Sequence, residues 1–301
     1  MNEFWSSFGQ ARDKARRSHY KCLCPGCEKN AINSHLVQQH PFLESIAEDG
    51  KLYQIKDNEV NPLSGDFSDS KELTLSIRQV LSMPLFCSQH DNDLFKSIES
   101  GFVDLANPAT PLLFSLRGLA GQRFLESKRQ VFYQTTGYEG ELFDLQREYS
   151  EFVIKGFDCT LSMLLNDLQN QTYQEYIFEV VDLPYLPVCG SDVLTDDDGM
   201  ANAYYNGDKN IRPLDILYMT LLPFAEKKKL KLIMGYHKKY VVESQRRFFE
   251  KVLKEKDLQT VLQVIYRMKN WCCSPSLFEG TDFATLYEVN RAEIILGEGE
   301  L

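Results

Sequence analysis

Long apolar runs are missing from this chain. No stretch of about 18 apolar residues occurs, which excludes a membrane-spanning helix. The opening MNEFWSSFGQARDKARRSHYK has no short apolar stretch of the kind a secretory signal carries, so a cytoplasmic protein without a membrane partner is expected. Positive charge is also in deficit: 33 Lys and Arg face 43 Asp and Glu, a formal net charge of −10. That excludes a globally basic nucleic-acid protein and confines any phosphate contact to local patches. Phosphate-cradling glycine loops, serine-hydrolase elbows and dinucleotide fingerprints are absent, as are internal repeats and low-complexity tracts.

What remains is ordinary globular material, 43% hydrophobic over 301 residues, enough for one large domain or roughly two to three small ones. Two basic patches stand out, Arg12, Lys14, Arg16, Arg17 and Lys21 near the start and Lys227–Lys229, Lys231, Lys238 and Lys239 later. A solvated face is the plain reading of each, and the first gains interest from the cysteines that follow it.

Periodicity predicts an α+β fold in three parts. Residues 1–105 form a small first unit. It opens with a short helix carrying Phe4, Trp5 and Phe8 on one side. A short helix at Phe42, Leu43 and Ile46, a strand at Leu52 and Tyr53, a loop over 58–72 and a helix within 86–100 follow. Residues 106–173 read as two antiparallel helices separated at Gly137–Gly140. Residues 174–301 read as mixed α/β, with strands within 176–194, 214–224 and 230–241, a polar loop over 191–208 and one helix over 244–270.

Eight cysteines fall at 22, 24, 27, 87, 159, 189, 272 and 273. Without a secretion signal a disulfide framework is not expected, and three cysteines within six positions point to a metal. Cys24-Pro25-Gly26-Cys27 has the tight-turn chemistry of a zinc knuckle, and Cys22 offers an alternative first ligand at C-x4-C spacing. Cys87 and His90, a C-x2-H pair at a helix start, supply the second half of a tetrahedral structural Zn²⁺ site. One of Cys22, Cys24 and Cys27 is left spare. Cys159, Cys189, Cys272 and Cys273 read as core or structural residues.

Ser34-His35 lies between the two ligand pairs. The order of cysteines, histidine and cysteine-led helix is similar to that of HNH, or ββα-metal, nucleases. There a histidine at a strand end removes a proton from water, and a divalent cation steadies the departing phosphate oxygen. The similarity implies a zinc-stabilised ββα or treble-clef-like module over residues 1–105, with His35 as general base and Asp91, with Asp93 beside it, as the holder of a catalytic Mg²⁺ or Mn²⁺. Two positions depart from the pattern. Ser34 stands where an acidic residue is usual, and Asp91 where His or Asn is usual. A purely structural His35, or His35 as a zinc ligand in place of His90, therefore stays open.

The segments CLCPGCEKNAINSHLVQQHPFLESIAEDGKLY and FCSQHDNDLFKSIE resemble a family of mostly uncharacterised bacterial proteins marked by C-x4-C, AI-x-SH and FC-x2-HD-x2-LF-x2-IE. The resemblance covers residues 22–99 and favours Cys22 and Cys27 over Cys24. It implies an accessory or anti-phage defence protein of the bacterial cytosol, with a protein partner from the same operon.

Two functions are carried forward. One is a metal-dependent HNH-like nuclease acting on DNA or RNA, its basic segment Arg12, Lys14, Arg16, Arg17 and Lys21 on the phosphate backbone. The other is a non-enzymatic zinc-stabilised module that binds nucleic acid or protein. A third location, around Asp182, Asp192 and the lysines of 227–239, assembles no mechanism. His237 reads as a surface residue.

Overall fold

The computed structural model describes residues 2–57, 70–99, 101–136 and 140–279. The chain opens with α1 (Asn2–Arg17), passes a cysteine-bearing loop, and forms β1 (Ile32–His35). A tight turn at Gln39–Leu43 runs into α2 (Glu44–Ile46), and a hairpin follows, β2 (Lys51–Asp57) and β3 (Ser70–Ser76). Next come β4 (Ser82–Phe86) and α3 (Ser88–Glu99). Two long helices, α4 (Ala109–Thr135) and α5 (Glu141–Asn170), lead to β5 (Tyr176–Pro184), β6 (Val188–Thr195) and α6 (Asp197–Tyr205). The last third carries β7 (Ile216–Phe224), β8 (Lys229–His237), α7 (Glu243–Glu255), α8 (Leu258–Arg267), β9 (Trp271–Cys273) and α9 (Pro275–Glu279).

Seven strands make one sheet in the order β3-β2-β9-β6-β7-β8-β5, every neighbouring pair antiparallel. Antiparallel sheets commonly leave one face wet, and their strands then alternate apolar with polar. Here β7 reads ILYMTLLPF and is buried through its first eight residues, because both faces are covered. Ile216, Tyr218 and Leu222 face the core shared with α4 and α5, whereas Leu217, Met219 and Leu221 pack with Phe248, Val252, Val261 and Ile265 of α7 and α8. The same alternation sends Cys272 to the first core and Cys273 to the second, so the adjacent thiols serve opposite faces.

The helix α4 is the centre of the molecule. Its first half, Thr110–Gln122, is buried all round, as expected of a helix enclosed on every side. One side lies on the sheet: a Cβ on Gly118 would sit 3.0 Å from the Asp192 amide nitrogen and the Ser191 hydroxyl. Only glycine lets the helix and β6 approach this closely. Another side meets β4 and α3, so Leu36, Leu85, Phe86, Phe95 and Ile98 share one apolar core with Leu112, Leu116 and Tyr218.

Mixed α and β content and a metal-ligand cluster near the N-terminus agree with expectation. The loop expected over 58–72 lies outside the described residues as far as 69, and β3 begins at Ser70. The side chains of Phe4, Trp5 and Phe8 also lie outside the described ones. The divisions expected at 105 and 173 do not part the sheet, since β2 and β3 precede the first and pair onward through β9. The expected helix over 244–270 is two helices, parted where Lys256 adopts φ +51° and Asp257 caps the second by accepting from the Thr260 amide at 2.8 Å. The stretch 191–208 is not a loop: it finishes β6 and forms α6, because Asp196 caps that helix through the Gly199 amide at 3.3 Å.

Candidate metal centre

Chain reversal brings Cys24 and Cys27 to the two ends of a tight turn. Pro25 fixes φ at its second position and Gly26, at φ +74°, supplies the left-handed third, the combination a type II turn requires. The turn closes with the Cys27 amide donating to the Cys24 carbonyl at 3.1 Å. Lys21 bridges Asn30, which returns the chain into β1. β1 pairs antiparallel with β4, His35 opposite Ser82, and α3 follows directly. A two-stranded sheet and a helix therefore hold the ligand pairs, with the β2–β3 hairpin inserted between the strands.

The side chains of Cys22, Cys27, Cys87 and His90 converge, their donor atoms all within 4.8 Å of one another. Cys22 Sγ lies 3.3 Å from His90 Nδ1, Cys87 Sγ lies 3.5 Å from the same nitrogen, and Cys27 Sγ lies 3.9 Å from Cys87 Sγ. A tetrahedral zinc with bonds of about 2.3 Å to sulfur and about 2.0–2.1 Å to nitrogen needs edges of about 3.8 Å (S···S) and about 3.5 Å (S···N). Three thiols and one imidazole with every described coordination direction supplied by protein suit a closed structural Zn²⁺ site. Cys87 sits at the N-terminus of α3, and amide donors there, first that of His90, pull its thiol pKa down. Burial pushes that of Cys22 up.

Cys24 is not one of the four. Its thiol lies beside Cys22, buried, and burial first of all pushes its pKa up to about 12. The C-x2-C reading of the knuckle is thus corrected to C-x4-C. Cys24 lies against the cluster, near enough for the Cys22, Cys27 and Cys87 thiols to act on it, without being one of the four converging ligands. Among the described residues no other group of three or more His, Cys, Asp or Glu side chains is arranged to hold a metal.

His35 ends β1 and lies outside the cluster. Its Nε2 lies 3.0 Å from the Ile77 carbonyl and 3.1 Å from Gln39 Nε2, and burial lowers its pKa, so the ring is neutral near neutral pH. It is not a zinc ligand. Asp91 and Glu99 are near enough to act on it electrostatically, and so is a residue that the sequence reading missed, Arg117 of α4. Arg117 is 1% exposed; it ion-pairs with Glu99, lies 3.8 Å from Asp91 Oδ1, and stacks its guanidinium 4.2 Å above the Phe95 ring. Its signal in the sequence is a lone charge in the apolar run PLLFSLRGLAGQ.

This arrangement does not suit a catalytic divalent cation. Ser34, where an acidic ligand would stand, is buried, with its hydroxyl 3.5 Å from the Ile32 carbonyl, and Asp91 already faces a guanidinium. Asp93 is exposed on α3. The chain matches no family model, no curated protein and no solved structure. Of what the sequence resemblance implied, the structure shows the metal-ligand cluster alone.

Three other polar positions find structural roles. Asp192 is fully buried and accepts from Gln122 Nε2 at 2.5 Å and from the Val193, Lys269 and Asn270 amides at 2.8, 2.5 and 2.9 Å, pinning the approach to β9 onto β6. Asp182 pairs with Lys229 and Lys231 across the β5–β8 edge. His237 is buried rather than on the surface: Nδ1 accepts from the Lys239 amide at 3.1 Å, and the ring packs edge-on to Tyr176.

Proposed function

We propose that the protein is a zinc-stabilised nucleic-acid-binding protein that grips the phosphate backbone at the edge formed by the end of α1 and the metal knuckle. The observation that carries this reading is the grouping of exposed Lys14, Arg16, Arg17, Lys21 and Lys29 there, on a chain whose net charge is otherwise strongly negative. Arg12 is half-buried and contributes less. Lys21 Nζ donates to the Glu28 carbonyl at 2.9 Å and Lys29 Nζ to Gln89 Oε1 at 3.0 Å, so both ammonium groups are held against the knuckle. The knuckle loop stands between two depressions of ≈ 340 and ≈ 610 Å³. A bacterial defence setting with an operon partner belongs to the same proposal.

Fluorescence anisotropy with labelled single- and double-stranded DNA and RNA tests it. About four phosphate contacts predict that log affinity falls with log salt at a slope of about −3 to −4. Replacing Arg16 and Arg17 by Glu should reduce that slope and weaken all sequences alike. Absence of binding at about 50 mM salt would sink the proposal.

A second reading, phosphodiester hydrolysis, is favoured by one observation. Donation from His35 Nε2 to the Ile77 carbonyl leaves the lone pair on Nδ1, as a general base needs, and requires the Gln39 amide to turn its oxygen rather than its nitrogen to the ring. Incubating the zinc-loaded protein with plasmid, with and without Mg²⁺ or Mn²⁺, tests it; cleavage that survives His35→Ala would remove His35 from the mechanism.

A further inference from the structure

We infer that Arg117 is the resident cation of the His35 centre, occupying the place a second, divalent metal ion would need, so that the protein carries one metal ion and not two. The inference concerns the surroundings of His35 and does not rest on nucleic-acid binding. On α3, Asp91, Phe95 and Glu99 recur every four residues and so form one stripe on the helix face. The Arg117 side chain lies along that stripe, with Asp91 and Glu99 as its carboxylate partners and the Phe95 ring beneath. Its aliphatic stem comes from α4, the helix enclosed on every side, so the guanidinium has no route to swing into solvent.

Charge decides the rest. An arginine stays protonated even when buried, so its charge is permanent. A divalent ion on Asp91 would put three positive charges within a few ångströms, against only the two carboxylates of Asp91 and Glu99 that face Arg117. The guanidinium also presents Nε and Nη1, and Asp91 presents Oδ1, without protein hydrogen-bond partners at this buried point. The ion pair with Glu99 and the stacking on Phe95 hold the guanidinium in place there, whereas an octahedral divalent ion would retain several waters. Arg117 is a positioning residue: with Asp91 and Glu99 it sets the electrostatic surroundings of His35.

The experiment is a Mn²⁺ titration of the zinc-loaded full chain, followed by electron paramagnetic resonance, with zinc counted independently. The wild type should hold one zinc and leave the free Mn²⁺ signal undiminished. Arg117→Met, of similar volume but without charge, should gain Mn²⁺ affinity by about a hundredfold or more, the scale of removing a like charge a few ångströms away. Asp91→Asn in that background should abolish the gain, and Arg117→Lys should stay silent. A merely structural arginine would create no metal site on removal. Asp91-dependent Mn²⁺ uptake by the wild type would overturn the inference, as would a folded, zinc-bound Arg117→Met that takes up none. Should Arg117→Met fail to fold, the wild-type titration decides alone.

Discussion

Removing one zinc ligand should cost the protein more than any single core substitution. In Cys87→Ser the thiolate at the start of α3 is lost, and with it the tie between the knuckle and the helix. Cys27 and Cys87 are 60 residues apart, and closing a loop of that length is worth about 4 kcal/mol of chain entropy when treated as a cross-link. The metal's own contribution in small zinc domains, about 10–16 kcal/mol, sets the ceiling. The loss spreads because Leu85, Phe86 and Phe95, anchored by this site, belong to the core that reaches Leu116 and Tyr218. For a chain of this size about 4 kcal/mol corresponds to a drop of about 8–16 °C in Tm. Circular dichroism melting of wild type, Cys87→Ser and chelator-treated protein reads the shift. Hydrogen exchange should show β1, β4 and α3 losing protection before β7 and β8. A zinc-free Cys87→Ser protein melting within about 2 °C of wild type would refute the reasoning.

Cys24→Ser should keep one equivalent of zinc and lose only about 1 kcal/mol, and metal analysis beside a denaturant melt distinguishes it from Cys22→Ser, which should lose the metal. Gly118→Val should separate α4 from β6 and cost about 3 kcal/mol or more, read as a shifted denaturation midpoint, because its first added carbon already meets the Asp192 amide. His237 has a depressed pKa, burial being the main cause, so its neutral ring contributes stability that is present above about pH 6.5 and lost as pH falls. Denaturant midpoints measured from pH 7.5 downward should therefore fall less steeply in His237→Asn than in wild type; parallel slopes would contradict that assignment.

The parts legible in the sequence are those set by local rules. Short-range spacing points to a site made by the 22–27 cysteines with Cys87 and His90, because a knuckle and a helix terminus are local structures, but it leaves open which of Cys22 and Cys24 joins Cys27. Apolar period placed α4, α5, β5, β7 and β8 within a few residues. The failures have long-range causes. β9 is three residues long and visible only through its neighbours β2 and β6, and β1 and β4 are short strands whose partners lie across an inserted hairpin. Arg117 goes unnoticed in the sequence because its partners, Asp91 and Glu99, belong to a different element. The acidic run at 196–198 was taken for a loop, although an aspartate followed by acidic residues is also how a helix begins.

The pairing of β2 with β9 has a consequence for how the chain is made. Tyr53 meets Cys273 from opposite ends of the described chain, so the hairpin β2–β3 leaves the ribosome with one edge of the future sheet open. At roughly 5–20 residues per second, β2 waits on the order of ten seconds or more for its partner. Through that interval an unpaired strand is a template for a second nascent chain. Nascent chains that stall before residue 271, or proteins truncated there, would keep that edge permanently, and association through it is the failure this topology invites.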